Sequence, residues 1–180
     1  AVMHVTDIWE ADREKEAFQV YGTTEKEHPG VEYLFKMTGD YYLGGELEVL
    51  NLPVHFDFKK YRMTPREIRR ISRKFGQERI IAFQTTSPIH RPQYEITISA
   101  MRETGASLLL LPIAGITRPS DFDHYIRVRC YRQVAKHYPP DSFMFNLLPL
   151  AMRMAGPRDA ILHAIISKNF GCSHRSEEHT

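Results

Sequence analysis

From residue 64 onward, short apolar segments alternate with longer amphipathic ones, and this alternation restricts the chain to few architectures. The segments 79–84, 107–113 and 142–148 are apolar on both faces and have the length of buried strands. Helical periodicity marks the segments 65–75, 93–103, 121–137 and 157–169. Strands of this kind, separated by helices, predict an α/β fold with a parallel sheet covered on both sides.

The first 62 residues have a different pattern, in which turn signals follow each other at short intervals. These signals include Tyr21-Gly22, His28-Pro29-Gly30, Gly44-Gly45 and Leu52-Pro53. Between them lie two stretches with β-type residues, 41–43 and 46–50, and one candidate helix, 12–21. We therefore predict a small β-rich N-terminal domain with one helix.

The boundary between the two parts is predicted at residues 61–64. Thr64 can cap a helix, Pro65 suits its first position, and Glu67 completes a capping box. This places an N-terminal domain at residues 1–62 and a second domain at residues 63–174.

Both ends of the chain suggest a fragment. The sequence opens with Ala1-Val2, without an initiator methionine or a signal peptide. Residues 175–180 (RSEEHT) break from the preceding pattern, and we predict that they are a non-native tail. A real polar tail is the alternative.

Composition limits the partners that this chain can have. The hydrophobic share of 42% suits a folded protein, and no apolar run of about 18 residues exists that could span a membrane. Cys130 and Cys172 have no metal-ligand spacing, which fits a reducing cytoplasm. The densest basic cluster lies on one predicted helical face, where a solvated surface is favoured over a polyanion site; it consists of Arg66, Arg69, Arg70, Arg73 and Lys74.

The loop 84–93, directly between a predicted strand and helix, is where chemistry is expected. Ligands of parallel sheets bind at the carboxyl ends of the strands, and backbone N–H groups at a helix start favour anions. Thr85, Thr86 and Ser87 add hydroxyl donors, and His90 can supply an N–H or a positive charge. The loop lacks the glycine pattern of a Walker motif, and turn and cap chemistry is the competing interpretation of the same residues.

This loop resembles a known family. Ala82-Phe83-Gln84-Thr85, followed by Pro88, His90 and Arg91, is similar to the ATP sulfurylase signature Q-T-R-N-P-x-H-R-A-H. Other segments resemble the same family in the same order; they are 28–30, 40–45, 115–119, 148–158 and 168–174. The resemblance covers nearly all of residues 1–174.

The resemblance implies a PUA-like N-terminal domain followed by a Rossmann-like nucleotidyltransferase domain. It implies that sulfate attacks the α-phosphorus of Mg-ATP, giving adenosine 5′-phosphosulfate and pyrophosphate without a covalent enzyme intermediate. ATP and sulfate are then the partners, with Mg-ATP as a substrate and no tightly bound cofactor or protein-held metal. The implied complete protein is a cytoplasmic homo-oligomer that binds neither nucleic acid nor membrane.

The resemblance also implies roles for single residues. Gln84 matches a glutamine that contacts sulfate and nucleotide, Thr85 matches a catalytic threonine, and His90 matches a histidine that stabilises the triphosphate. The predicted catalytic residues are Thr85, Thr86, Ser87 and His90, and the predicted substrate-binding residues are Gln84, Thr85, His90 and Gln93.

Several of these positions depart from the family pattern. Thr86 stands where the family has a sulfate-binding arginine, Ser87 where it has an asparagine, and Gln93 where it has a second histidine. Leu111 and Ser167 likewise replace a histidine and an arginine. Loss of one charged hydrogen bond to the acceptor would cost about 1.5–3 kcal/mol in transition-state binding.

Three functions therefore remain open at this point. The first is a fragment of a sulfate adenylyltransferase, inactive as written if the family's downstream G-R-D-H-A-G loop is absent. The second is a divergent nucleotidyltransferase, or a nucleotide-binding paralogue, with an altered acceptor. RNA binding by the N-terminal domain is the third, and it has little support because the basic residues do not cluster there.

Overall fold

The computed structural model describes residues 1–115, 122–151 and 153–177, and the chain forms two compact units. The first unit consists of Ala1–Phe56 and Arg153–Ile161, and the second contains the remaining described residues. The division between the two units, close to the predicted boundary at residues 61–64, falls just before Asp57. The Asp57 carboxylate accepts hydrogen bonds from Arg62 and His124 of the second unit.

The first unit contains two strands and two helices. In chain order they are β1 (Val2–Glu10), α1 (Arg13–Tyr21), α2 (Pro29–Met37) and β2 (Tyr41–Glu48). The two strands pair antiparallel, with a bulge at Val5/Asp7 opposite the glycine pair of β2. The predicted strands 41–43 and 46–50 are therefore one strand, because Gly45 lets the His4 carbonyl approach where a Cβ would clash.

Helix α2 corrects the interpretation of residues 28–30 as a turn. His28 is the N-cap, and its Nδ1 accepts from the Gly30 N–H at 3.1 Å, while Pro29 occupies the first turn. Val31 and Leu34 of this helix are buried against Ala17 of α1. Helix α1 itself was predicted correctly.

The second unit is an α/β structure with a four-stranded parallel sheet, as predicted. Its elements are α3 (Pro65–Lys74), β3 (Ile80–Thr85), α4 (Arg91–Thr104), β4 (Ser107–Pro112), α5 (His124–Val134), β5 (Phe143–Phe145), the part of α6 (Pro157–Asn169) that follows Ile161, and β6 (His174–Glu177). Single 3₁₀ turns occur at Lys59–Tyr61 and Ala135–His137. The strand order is β5-β4-β3-β6, and all neighbours are parallel.

The two faces of β3 pack into different cores. Ile81 and Phe83 belong to a cluster that includes side chains of α4 and α5, whereas Ile80 and Ala82 pack with Ile68 of α3 on the opposite face. This arrangement follows from the period of two along a strand. Consecutive side chains at the end of β3 therefore point to opposite faces of the sheet.

Strand β6 corrects the exclusion of residues 175–180 from the fold. Ala82, Phe83 and Gln84 pair with Arg175, Ser176 and Glu177, because backbone hydrogen bonds along the edge of β3 do not depend on side-chain type. Residues 178–180 lie outside the described residues, and the non-native origin of the tail stays a prediction.

Three further properties concern the thiols, the helices and the metal-ligating side chains of the described residues. Both cysteines are free thiols, and burial raises the pKa of Cys172 to about 12, so that this thiol stays protonated at neutral pH. Among the described helices, none has the length and apolar character needed to cross a membrane. Within the same residues, no group of three or more His, Cys, Asp or Glu side chains could hold a metal ion.

Candidate functional site

Residues 86–90 connect the carboxyl end of β3 to the start of α4, as the sequence predicts. The neighbouring strand β4 ends at the same edge of the sheet, where Thr85 pairs with Pro112. This is the edge at which parallel α/β sheets bind ligands.

Thr85 shapes the first turn of this loop from a buried position. Its Oγ1 accepts a hydrogen bond from the Ser87 N–H at 3.0 Å and donates to the Ser87 carbonyl at 3.1 Å. Such a turn, closed by a hydroxyl, holds the backbone at Thr86 and Ser87 in one conformation.

Helix α5 holds the same loop from the other side through two side chains that the sequence analysis did not single out. The Arg127 guanidinium donates from Nη1 to the carbonyl oxygens of Thr86 and Ile113, both at 2.9 Å, and from Nε to Phe122 at 2.9 Å. One turn later, the Tyr131 hydroxyl donates to the Ser87 carbonyl at 2.8 Å.

Arg127 carries a buried positive charge, since only 3% of the residue is exposed. Its hydrogen-bond acceptors are neutral carbonyls, and it forms no ion pair with any carboxylate of residues 1–115, 122–151 and 153–177. An uncompensated charge in a low-dielectric surrounding favours a nearby anion. Arg127 therefore holds the loop in place and sets one buried positive charge beside it.

His90 and Gln93 form a capping box at the start of α4. The His90 Nδ1 accepts from the Gln93 N–H at 3.4 Å, and the Gln93 side-chain oxygen accepts from the His90 N–H at 3.1 Å. The helix therefore starts at Arg91 rather than at residue 93. Gln93, predicted to bind substrate, is buried, and its side-chain oxygen is used to cap the helix.

The cap determines which ring nitrogen of His90 carries the proton. Because Nδ1 accepts a hydrogen bond, the neutral ring must carry its hydrogen on Nε2. His90 is exposed, and no described residue binds its Nε2. The His90 Nε2–H is therefore an outward-facing donor beside the loop. An imidazolium carries a hydrogen on Nδ1 as well and could not accept the Gln93 N–H.

Gln84 faces away from Thr85, on the side of the sheet that packs against α6. Its Oε1 accepts from the Nδ1–H of His163 at 2.7 Å and from Arg175 Nε at 3.4 Å. Its Nε2 donates to the Ser167 hydroxyl at 3.2 Å, so that Gln84, 3% exposed, lies within a buried polar network. A strand points adjacent side chains to opposite faces, and sequence adjacency therefore did not bring Gln84 to the loop.

The structure thus brings together Thr85, Thr86 and Ser87, with His90 and Gln93 joined at the start of the following helix. Leu111 is fully buried in the core, and Ser167 serves the Gln84 network. In the segments that resemble the family, residues 116–119 and Met152 lie outside the described residues.

A local signal could have revealed Arg127, whereas the partner of His163 could not be found from local patterns. Arg127 lies one residue before buried Val128 and four before buried Tyr131, so this arginine occupies the core face of a helix. A charged residue at such a position needs polar partners. His163 of α6 is likewise a titratable side chain on a buried face, but its partner Gln84 lies 79 positions away, beyond the reach of local patterns.

The start of α5 is anchored by Asp57. Its carboxylate binds Nε2 of His124 and Nη2 of Arg62, each at 2.8 Å. The hydrogen bond from His124, together with the hydrogen bond and charge of Arg62, holds the pKa of this carboxyl below its ordinary value. This contact fixes the helix that in turn carries Arg127 and Tyr131.

Comparison with protein families gives two matches. The ATP-sulfurylase model matches residues 59–175, and the model of the PUA-like domain matches residues 1–52. The first match alone covers more than half of the chain and includes the whole loop.

Curated relatives are similar over almost the whole chain. The sulfate adenylyltransferases of Kluyveromyces lactis and Saccharomyces cerevisiae are each 44% identical over 174 residues, which is 97% of this chain and 34% of theirs. The Schizosaccharomyces pombe protein of the same name is also 44% identical, and 36% of it is covered. The chain thus spans about a third of the length of these relatives.

A solved structure shares the fold. The hexameric APS kinase from Thiobacillus denitrificans superimposes with a TM-score of 0.73 at 30% sequence identity. The match covers 96% of this chain and 30% of that one.

Proposed function

The chain belongs to the ATP-sulfurylase family, and we propose that it is the nucleotide-binding part of a sulfate adenylyltransferase. The proposed reaction joins ATP and sulfate into adenosine 5′-phosphosulfate and pyrophosphate. Because the chain spans 34% of a relative such as the Saccharomyces cerevisiae protein, the activity is proposed for the complete protein. The observation that carries the proposal is the loop between β3 and α4, which is held in place with the buried charge of Arg127 beside it.

This loop suits a polyphosphate for three physical reasons. The positive end of the α4 helix dipole favours an anion. The outward Nε2–H of His90 adds a donor, and the buried charge of Arg127 adds a positive potential. Donors that are held in place before the reaction need no reorganisation as charge builds on the departing pyrophosphate.

The proposed roles of the loop residues follow from their contacts. His90 donates from Nε2 to a phosphate oxygen of Mg-ATP, whose magnesium arrives with the nucleotide. Thr85 positions the turn through its two bonds to Ser87, and the half-buried side chains of Thr86 and Ser87 face the acceptor. Gln84 and Gln93 are positioning residues, since both are engaged in buried contacts.

The acceptor site lacks the family arginine at Thr86, and the structure supports one substitute. Arg91 is a poor one, because its side chain is 88% exposed and lies 3.8 Å from Glu95. Arg127 touches the Thr86 carbonyl itself. We assign to Arg127 part of the positive potential that sulfate needs. Because the guanidinium of Arg127 already donates to three carbonyl groups, we expect a weaker affinity for sulfate than the family arginine would give.

The remaining features of the proposal rest on the family. We propose that residues 1–62 form the PUA-like domain and residues 63–174 the Rossmann-like catalytic domain; the PUA-like model matches residues 1–52 and the ATP-sulfurylase model residues 59–175. The complete protein is proposed to be a cytoplasmic homo-oligomer. The similar APS kinase from Thiobacillus denitrificans is a hexamer, which supports assembly, and the two free thiols suit a reducing compartment.

A chimera tests this function directly. Residues 1–174 replace the matched third of the Saccharomyces cerevisiae relative, and pyrophosphate release from Mg-ATP is measured with and without sulfate. We expect sulfate-dependent release above the sulfate-free background. A chimera that melts cooperatively and binds ATP but releases no sulfate-dependent pyrophosphate would contradict the proposal and favour the altered acceptor.

A further inference from the structure

A second candidate site lies within the second unit, on a different face of α5. A cavity of about 530 Å³ opens between the 3₁₀ turn Lys59–Tyr61, the end of α5 and strand β5. Its volume is in the range of pockets that hold small organic molecules, which is about 300–1,000 Å³. We call it the basic cleft, after the four cations that line it: Lys60, Arg129, Arg132 and Lys136.

The four cations have no acidic counterpart in the cleft. No Asp or Glu is among its lining residues. Within residues 1–115, 122–151 and 153–177, none of the four forms an ion pair with a carboxylate. Lys136 donates to the neutral Gln133 side chain at 2.7 Å, and Lys60 lies 4.7 Å from the centre of the Tyr61 ring. Like charges gathered around one opening repel each other, and a multivalent anion relieves that repulsion.

The wall of the cleft is apolar and aromatic. Tyr61 packs against Phe145 with ring centroids 4.6 Å apart, and Phe143 stacks on Tyr138 with centroids 4.5 Å apart. The chain therefore combines a cationic rim with an apolar wall. This combination suits a ligand that carries phosphate and an organic ring, or a bare polyphosphate held at the rim.

The cleft is separate from the β3–α4 loop because α5 presents different faces to the two. Arg127 and Tyr131 lie one turn apart on the buried face and hold the loop. Arg129 and Arg132, three residues apart, lie on an exposed face of α5, and Lys136 follows in the 3₁₀ turn Ala135–His137. A ligand in the cleft would therefore not occupy the proposed nucleotide site.

We propose that the basic cleft binds a phosphorylated small anion, either a nucleotide or an inorganic polyphosphate. The size of the cavity and its single-sign charge carry this inference, and it does not depend on the proposed transferase activity. Arg129 and Arg132 supply guanidinium groups that match phosphate geometry, and Lys60 closes the opening from a separate element.

Binding to the 180-residue chain at low micromolar concentration tests the proposal. The probes are inorganic tripolyphosphate and metal-free ATP. We expect Arg129→Gln with Arg132→Gln to raise the dissociation constant at least 10-fold. Lys60→Gln alone, which leaves α5 untouched, should raise it severalfold. Tighter binding of ATP than of tripolyphosphate would identify a nucleotide site, and equal binding would identify an inorganic polyphosphate site.

One control variant separates this site from a general effect of charge. Arg66→Gln with Arg70→Gln removes the same charge from the exposed face of α3. This variant should change the dissociation constant less than threefold. An equal loss of binding in the α3 variant would show that only the net charge of the chain matters. That result, or unchanged binding in the cleft variants, would overturn the proposal.

Discussion

The Nη1 group of Arg127 donates a hydrogen bond to the carbonyl oxygen of Thr86 at 2.9 Å. This contact joins helix α5 to the loop that follows β3, and the same nitrogen also binds the end of β4 at Ile113. One buried side chain thus fixes the edge of the sheet at which we place the nucleotide. The geometry of the candidate site depends on α5 as much as on the loop itself.

Replacing Arg127 by methionine should destabilise the chain and loosen the loop together. Three carbonyl groups lose their donor, and each buried unsatisfied acceptor costs about 1–3 kcal/mol. We expect the free energy of unfolding in urea to fall by about 3 kcal/mol or more. The control is Arg129→Met at a neighbouring exposed position, which should change the free energy of unfolding by less than about 0.5 kcal/mol. Equal stability of the two variants would show that Arg127 does not hold the loop.

The Asp57 carboxylate should make folding stability depend on acid pH. Its pKa is held below the ordinary value of 3.8, so its stabilisation is complete above that pH and is lost as the pH falls through the folded-state pKa. Asp57→Asn should lower the free energy of unfolding by about 1–3 kcal/mol at neutral pH. The difference from the parent should shrink below about pH 3.8. The control is Glu95→Gln, which removes an exposed ion pair with Arg91. It should change neither the free energy of unfolding at neutral pH nor its dependence on acid pH by much.

Exposed apolar side chains in the first unit should make the 180-residue chain associate. Both strands of the β1–β2 ribbon carry exposed large apolar residues, among them Ile8, Trp9, Leu43 and Leu47. We expect sedimentation velocity to show concentration-dependent oligomers. Leu43→Lys with Leu47→Lys should reduce them, whereas Phe75→Lys, at another exposed position, should not. A monodisperse parent at high concentration would contradict this.

The acceptor specificity should respond to restoration of the family residues. In the chimera, Thr86→Arg together with Ser87→Asn should raise kcat/KM for sulfate about 10–100-fold, since a bidentate guanidinium replaces one hydroxyl. The KM for ATP should change little. If the parent already has a low KM for sulfate and the substitutions change nothing, Thr86 does not limit acceptor binding.

The sequence predicts most of the second unit because its signals are local. The capping box of Thr64 and Glu67 locates the start of α3, and the apolar segments locate β3 and β4 within one or two residues. The equivalent box at α4 escaped notice because its N-cap is His90 rather than serine or threonine. Helix α2 escaped for a similar reason, since His28 is its N-cap.

The site was only partly predictable, because several of its contacts cross the fold. The position of the loop follows from the order of strand and helix, and its prediction is confirmed. The engagement of Gln84 with His163 depends on how α6 packs on β3, and the contact of Arg127 with Thr86 spans 41 positions. No local period reports such distances. The roles in catalysis of Thr85, Thr86, Ser87 and His90 stay predictions.

His90 provides the most direct test of the loop's role, because its two ring nitrogens have separable functions. Asparagine is a good N-cap and can replace Nδ1 in the capping box, but it lacks the outward Nε2–H. His90→Asn in the chimera should therefore keep the melting temperature of the parent. Alanine, in contrast, should cost about 0.5–2 kcal/mol of stability.

The decisive measurement is kcat/KM for Mg-ATP at saturating sulfate in the parent chimera and in His90→Asn. The proposed donation from Nε2 to a phosphate oxygen predicts a loss of about 100-fold or more at unchanged stability, comparable to removing one oxyanion donor. His137→Ala, at another exposed histidine, should retain parental activity. Parental activity in His90→Asn would contradict the account and leave His90 as a helix cap alone.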